Sequence, residues 1–194
     1  GEIAFYNFPQ GAMSHLLRDM AAGLPGTIHH VGLGTYVDPR VEGGKANEKC
    51  REDMVELFPW KGKDLLFFKA LEKIDVAFVR GTTADERGNI TMEEEALFLE
   101  HLPMAMAAHN TGGTVIAQVK RVAQADSLDP RDVRVPAFLV DHVVVAPPEL
   151  HKQTFAEDWN PAYLGQIKIP LSSIQPLGMS ERKVIARRAL LEIP

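Results

Sequence analysis

Three runs dominated by Val, Ile, Leu and Phe constrain this chain most: residues 75–80 (DVAFVR), 114–122 (TVIAQVKRV) and 138–145 (FLVDHVVV). Their apolar character is nearly continuous and does not alternate, which is the pattern of strands in a parallel sheet buried on both faces. Residues 94–110 stand between the first two runs, have helical composition and end at Gly112-Gly113, a helix stop. Strand, helix, strand in that order predicts an α/β fold built on a mostly parallel, doubly wound sheet, with 75–80 as a central strand and 94–110 as the longest helix. Around this frame the sequence predicts a short strand at 3–8 and a helix at 11–22, where Met13, Leu16, Leu17 and Met20 make an apolar stripe. A strand is expected at 27–31. Strands at 55–58 and 65–69 are expected to pair across the turn Lys61-Gly62-Lys63. Residues 85–89 (DERGN) form a turn, with Asp85 and Asn89 bonding within it and Gly88 left-handed, and 90–92 continue extended. Residues 147–178 are proline-rich and irregular, and Ser180 caps a last helix running to Leu191.

In such folds ligands bind in loops at the carboxyl ends of strands, which directs attention to residues 31–47, VGLGTYVDPRVEGGKAN. Gly26, Gly32, Gly34, Gly43 and Gly44 fall in this stretch or just before it, so the backbone turns sharply with little side-chain bulk. Lys45 places a cation directly after the Gly43-Gly44 pair. Cation and backbone N–H groups together suit an anion or a polar acyl group, and a long surface loop whose glycines serve turns is the plainer alternative. A second strand-to-helix turn, NFPQG, presents Gln10 as a neutral amide able to orient a carboxylate, or simply starts a helix. Glu42 reads as a solvated loop carboxylate.

Other chemistries find little support. The net charge of −5 and the scatter of basic residues argue against a nucleic-acid partner. Arg182, Lys183, Arg187 and Arg188 read as a solvated helix face. The one cysteine, Cys50, forms no internal disulfide and reads as an incidental surface thiol, which suits a reducing, cytoplasmic setting. No apolar run approaches the roughly 20 residues of a membrane span, so no membrane partner is expected. Among the seven histidines, His29 and His30 are neighbours in a strand and should point to opposite faces, while His101 and His109 lie too far apart along one helix to share an ion. No metal is expected. There is no GxSxG, no Walker loop, and Gly32-Leu33-Gly34 does not open a helix, so neither a serine hydrolase nor a dinucleotide site is expected.

Taken together, YNFPQGAMSHLLRDMAAGLPG, VGLGTYVDPRVEGGKAN, RGTTADERGNITMEEE, GGTVIAQVKRV, LDPRDVRVPAFLVDHVVVA and ERKVIARRALLE resemble, in order and over nearly the whole chain, the bacterial acetate/propionate enzymes of the class I CoA-transferase family. The resemblance implies the fold shared with sugar-phosphate isomerases, of which residues 1–194 would be most of the N-terminal domain. The helix at 180–192 would lead to a second half outside this chain. It implies transfer of CoA between a short-chain acyl-CoA and a free carboxylate through a glutamyl-CoA thioester, with no cofactor beyond the CoA substrate itself. The nucleophilic glutamate of the family lies in the second half, so no catalytic residue is expected here and the isolated chain should be inactive. Gln10, Gly11, Gly34, Thr35, Gly43, Gly44 and Lys45 are the substrate- and CoA-binding candidates. The expected partner is the catalytic half, fused or separate, and the apolar surface left where that half docks favours a homo-oligomer. Two alternatives stand beside this: an isomerase-like activity, although Thr35 and Tyr36 are the only hydroxyls near the loop, and a non-catalytic scaffold for the catalytic half. The strand-like opening and the stop at Pro194 are those expected of a segment of a longer polypeptide.

Overall fold

The computed structural model describes residues 2–194 and divides into two compact units, Gly1–Asp158 and Trp159–Pro194. The first unit contains, in order, helix α1 (Gln10–Ala21), strands β1 (Gly26–His29), β2 (Val55–Trp60), β3 (Lys63–Lys69), β4 (Val76–Arg80), β5 (Thr83–Asp85) and β6 (Ile90–Thr91), helix α2 (His101–Asn110), and strands β7 (Thr114–Val119), β8 (Arg121–Ala123), β9 (Val133–Val135) and β10 (His142–Val145). The α/β class with a parallel sheet holds. Parallel pairing is concentrated in the three-stranded sheet β10-β7-β4, beside an antiparallel sheet β1-β3-β2 and a mixed sheet β8-β5-β6-β9.

The helices form where small and apolar residues recur every four positions. Ala12, Leu16 and Met20 lie on one buried stripe of α1. Ala105 and Ala108 of α2 are fully buried in the core of the parallel sheet with Val115, Ala117 and Val119, while Ala107 meets Leu16 and Met20 of α1. Alanine at these positions lets helix and sheet approach closely, so α2 becomes the link between α1 and the parallel strands. At the start of the same stripe, Ala12 packs with Val37, Val55, Leu66 and Phe68, which ties the glycine-rich loop to the β2–β3 hairpin. The two strands pair as expected, and Trp60 stands opposite Lys63, so the turn is Lys61-Gly62 alone and both strands run longer than expected.

The mixed sheet is a bent continuation of the parallel one. The Gly81 N–H donates to Gln118 O (2.9 Å) and the Lys120 N–H to Thr82 O (2.9 Å), so β4 and β7 turn together into β5 and β8. Gly81 is required at the bend, since a β-carbon there would lie 2.1 Å from Cγ2 of Ile90.

Several expectations are corrected. Residues 3–8 form no strand; one isolated bridge joins Tyr6 to Lys45. The helix expected over 94–110 begins at His101, because the preceding backbone is engaged elsewhere: the Glu94 N–H donates to Thr82 Oγ1 (2.9 Å) and Leu99 takes a positive φ of 42°. Helix α1 is therefore the longer of the two. Strand β4 lies at an edge and β7 at the centre. The run 114–122 breaks at Lys120, and 138–145 starts with a 3-10 turn (Ala137–Leu139), whose Ala137 N–H is held by Asn89 Oδ1 at 3.0 Å. The parallel strands are buried on one face, not two: Val115, Ala117 and Val119 are fully buried while their neighbours are not.

In the second unit, Ser180 accepts a hydrogen bond from the Lys183 N–H (3.3 Å) and caps helix α3 (Glu181–Ala189), as expected. The rest of that unit is 3-10 turns and irregular chain with no buried residue. No helix among the described residues is long and apolar enough to cross a membrane.

Candidate functional site

Residues 5–10 and 32–46 lie side by side. The Asn7 N–H donates to Gly44 O (2.9 Å), the Ala46 N–H to Phe5 O (2.9 Å), and the Tyr36 hydroxyl to Asn7 O (2.9 Å). Gly44 is placed by this contact. Its φ is +72°, and a β-carbon would meet the Phe8 ring at 2.6 Å. The structure thus brings Gly44 and Lys45 against the segment that delivers Gln10 and Gly11.

Inside the loop a buried carboxylate organises the backbone. Asp38, 1% exposed, accepts from the Gly34 N–H (2.9 Å) and from Arg40 through its main-chain N–H (3.0 Å), Nε (2.9 Å) and Nη2 (2.7 Å). The Arg40 guanidinium and these N–H groups hold the Asp38 carboxyl far below the usual carboxylate range. Arg40 reaches on to Asp64 (2.7 Å) and fastens the loop to the hairpin. Further loop donors are engaged: the Thr35 N–H and hydroxyl on Gly32 O (3.1 and 2.8 Å), Gly43 N–H on Asp38 O (3.1 Å), Gly44 N–H on Tyr36 O (3.0 Å), and Lys45 Nζ on Asp53 (2.6 Å). The loop is therefore a preformed wall, and the amides of Gly34, Gly43 and Gly44 spend their donors on its own shape.

Donors remain open at the start of α1. Pro9 offers no side-chain cap and no acidic residue stands in the first turn. The N–H groups of the first turn are left without intrahelical partners, beside the exposed side chain of Gln10. That end of a helix favours negative charge. The Ser14 hydroxyl, one turn on, lies within hydrogen-bond distance of both Gln10 O and the Glu100 carboxylate, its single proton serving one of them at a time, which ties this end of α1 to the start of α2.

The start of α2 lies at the carboxyl edge of the parallel sheet, where a charged network has assembled. Arg80, the last residue of β4, donates from Nε to Glu95 Oε2 (2.7 Å) and from Nη2 to Lys152 O (2.5 Å). His151, 2% exposed, contacts Glu95 through Nε2 (3.2 Å) and Gln118 Nε2 through Nδ1 (3.2 Å). Burial pushes the His151 imidazole below its ordinary range despite Glu95, so the ring is neutral; with Nδ1 accepting from Gln118, the proton on Nε2 is donated to Glu95. Glu94 pairs with Lys120 (2.6 Å) and Arg121 (2.8 Å), and Glu93 with Thr83, Thr91 and Arg121. Burial alone would raise both carboxyls, but these partners outweigh it and hold them low. A cleft of about 640 Å³ opens over this network, bounded by Arg80, Glu95, Leu97, His101, Leu150 and Phe155.

The turn after β5 is as expected: Asp85 Oδ1 accepts from the Arg87 and Asn89 N–H groups (3.0 and 2.8 Å), and Gly88 has φ +98°. Two other expectations change. Cys50 is buried, with its thiol on Phe5 O (2.9 Å), because residues 46–50 fold back under the 5–7 segment. His29 and His30 do not diverge. The strand ends at His29, the Val31 N–H turns back to its Nδ1 (3.0 Å), and the two rings stack at 5.0 Å, with His15 edge-on at 5.3 Å. No group of three or more His, Cys, Asp or Glu suited to a metal ion is found among the described residues.

A family model for coenzyme A transferase matches residues 1–146. The chain belongs to the coenzyme A transferase family. It is 49% identical over 193 residues to the caffeate CoA-transferase of Acetobacterium woodii, a match covering 99% of this chain and 37% of that protein. It is 41% identical over 192 residues to the acetate CoA-transferase YdiF of Escherichia coli K12, covering 99% of this chain and 36% of the relative. The crystal structure of the acyl-CoA transferase YdiF apoenzyme from E. coli O157:H7 superposes with a TM-score of 0.85 at 40% identity, over 99% of this chain and 36% of that one. Glutaconate CoA-transferase from Acidaminococcus fermentans, at 18% identity and a TM-score of 0.61, shares the fold. The chain thus spans little more than a third of the length of the relatives it matches first.

The sequence singles out the loop and the Gln10 turn but not Asp38, Arg40 or the Arg80–Glu95–His151 network. The Asp-Pro-Arg spacing of residues 38–40 was the available signal for the first pair. Nothing local announces the network, whose Glu95–His151 contact joins residues 56 apart.

Proposed function

We propose that this chain is the first α/β portion of a CoA-transferase that moves CoA between a short-chain acyl-CoA and a free carboxylate. The support that carries this reading is the end-to-end match, 99% of the chain at a TM-score of 0.85, to an acyl-CoA transferase. In the reaction, a glutamate attacks the acyl-CoA carbonyl and expels CoA thiolate, leaving an acyl-glutamyl anhydride. The thiolate attacks the glutamyl carbonyl, releasing the free carboxylate and leaving a glutamyl-CoA thioester. An incoming carboxylate reverses the two steps. Thioester is exchanged for thioester, so neither ATP nor a metal enters the balance.

The carboxylates at the sheet's carboxyl edge are poor candidates for the nucleophile, since Glu93, Glu94, Glu95 and Glu100 each hold a cation, imidazole or hydroxyl partner. The glutamate is assigned to polypeptide outside residues 1–194. This chain contributes the open amide end of α1 with Gln10 and Gly11, which would hydrogen-bond the acyl carboxylate or a developing oxyanion. Gly34, Thr35, Gly43, Gly44 and Lys45 supply the rigid wall beside it. The setting is cytoplasmic and the assembly a homo-oligomer of complete transferases.

The test uses the whole polypeptide carrying this segment, incubated with acetyl-CoA and isotopically labelled propionate and followed by mass spectrometry. Labelled propionyl-CoA is expected, together with a CoA adduct trapped on a glutamate outside residues 1–194. No exchange with any acid of a short-chain panel would overturn the reaction, and an adduct on a glutamate within 1–194 would overturn the assignment. The isolated 194-residue chain is expected to give no exchange.

A further inference from the structure

Glu100 occupies the cap position of α2, yet its side chain makes no bond to the helix it precedes. Its carboxylate instead meets the Ser14 hydroxyl of α1, 86 residues away in sequence. The backbone is bent for this reach. Leu99 takes a φ of +42°, a left-handed conformation unfavourable for a bulky side chain, and Leu99 is itself 58% exposed, so the bend does not serve to bury it. Strain of this kind persists only where the surroundings impose it, and it clusters at functional sites. Here both flanks are fixed. Before the bend, the Glu94 N–H donates to Thr82 Oγ1 (2.9 Å) and Glu95 accepts from Arg80 (2.7 Å). The Arg134 guanidinium lies over the Phe98 ring at 4.5 Å, and Phe98 O meets His101 Nδ1 at 2.5 Å. Leu99 stands between these contacts and turns Glu100 towards α1. The starts of two helices thus meet at one carboxylate, where negative charge is favoured.

The contact falls directly behind Gln10. Residues 10 and 14 lie one turn apart on one face of α1, and the Ser14 hydroxyl is 3.0 Å from Gln10 O. Of the two acceptors within its reach, the carboxylate makes the stronger bond. Ahead of Gln10, the Asn7 N–H holds Gly44 O (2.9 Å). Gln10 is therefore bracketed by the glycine-rich wall on one side and, through Ser14, by Glu100 on the other. We propose that Glu100 and Ser14 are positioning residues for the acyl site: they hold the first turn of α1, and with it the Gln10 amide, in the orientation that meets the acyl group. They act through Gln10. The proposal rests on the reading of Gln10 as a donor to the reacting carboxyl group. A donor fixed from both sides needs no reorganisation as charge develops, whereas a turn held only at Asn7 leaves the amide free to swing.

The test measures exchange between acetyl-CoA and labelled propionate in the whole polypeptide. Ser14→Ala and Glu100→Ala are each expected to lower kcat about tenfold with KM for propionate little changed, short of the roughly 10²-fold loss for a group misplaced by about 1 Å. The two variants break the contact from opposite sides, so one that fails to fold leaves the other to decide. Ser14→Thr keeps the hydroxyl and Glu100→Gln keeps an acceptor for it, and both are expected to stay within about threefold of the parent, since a single retained hydrogen bond carries the effect. Residues that act through Gln10 lose their effect once it is gone, so Ser14→Ala added to Gln10→Ala should cost nothing more. An equal further loss in the Gln10→Ala background would show a general structural role and overturn the proposal. So would parent-like turnover in Ser14→Ala and Glu100→Ala while Gln10→Ala is slow, a result that leaves the reading of Gln10 standing. Parent-like turnover in Gln10→Ala would instead remove Gln10 from the site, and the positioning role with it.

Discussion

Arg80 and Glu95 offer a pair whose two halves should fail unequally. Glu95 is 7% exposed at its side chain and Arg80 is 30% exposed. Replacing Arg80 with Met keeps most of the aliphatic stem but leaves the Glu95 carboxylate buried with the His151 N–H as its remaining donor. Removing one partner of a buried pair costs about 3–5 kcal/mol, mostly from the charge left behind. Because Arg80 is partly in water and His151 stays, the low end applies, about 3 kcal/mol. Replacing Glu95 with Gln keeps the shape and an acceptor, and the stranded Arg80 can turn towards solvent, so about 1–2 kcal/mol is expected. The double replacement leaves no orphaned charge. It should therefore cost less than the sum of the two, with a coupling of about 1–3 kcal/mol.

Native-state hydrogen exchange at the β7 amides reads this, since β7 lies at the centre of the sheet that Arg80 terminates. A loss of about 3 kcal/mol corresponds to roughly 150-fold faster exchange for R80M, at about 1.4 kcal/mol per factor of ten. Exchange within about threefold of the parent would show that water already solvates Glu95 and that the network is a surface feature. Additive single and double variants would show that Arg80 and Glu95 act independently, and either result refutes the argument from burial.

Three further outcomes are expected. His151 is held neutral by burial, with a folded pKa below its unfolded value near 6.5. The unfolded chain thus binds the extra proton, so its stabilising share is complete above pH 6.5 and lost as pH falls below it; thermal melts between pH 5 and 7.5 should show this slope, and H151Q should flatten it. Gly44→Ala puts a β-carbon 2.6 Å from the Phe8 ring at a φ of +72°. This costs about 2 kcal/mol, and calorimetry should show a melting temperature lower by about 4–8 °C. Gln10→Ala in the whole polypeptide should lower kcat on the order of 10²-fold, the loss typical of an oxyanion donor, while unchanged turnover in the exchange assay would remove Gln10 from the site.

What could be read from sequence divides along the range of the forces involved. Helix α1, the β2–β3 hairpin and the Ser180 cap rest on neighbours a few residues apart, and their patterns survive into the structure. The long helix expected over 94–110 failed at its first half because Glu93, Glu94 and Glu95, good helix formers, are captured by Thr83, Lys120, Arg121 and Arg80. The central strand became an edge strand for a similar reason: composition reports that β4 is apolar but not how many neighbours it finds. In the loop, turn-forming glycines were legible, but the fate of their N–H groups was not, since Asp38 consumes one donor and shapes the rest only after burial beneath Arg40.

This distribution of donors sharpens the proposed division of labour. A transferase that passes through an anhydride needs rigid walls against water and donors fixed before charge develops. The loop meets the first need by satisfying itself, which makes it stiff but leaves it few donors for substrate. The uncapped end of α1 meets the second, because Pro9 leaves the first-turn N–H groups and the Gln10 amide unclaimed. The two sit together because the Asn7 N–H bonds Gly44 O, so wall and donors share one anchor. The Gly44→Ala and Gln10→Ala variants therefore separate the two roles. If the division is right, loosening the wall through Gly44 should raise hydrolysis of acyl-CoA relative to exchange, whereas removing the Gln10 amide should slow both reactions together. An unchanged partition between hydrolysis and exchange in the Gly44 variant would refute the loop's part in excluding water.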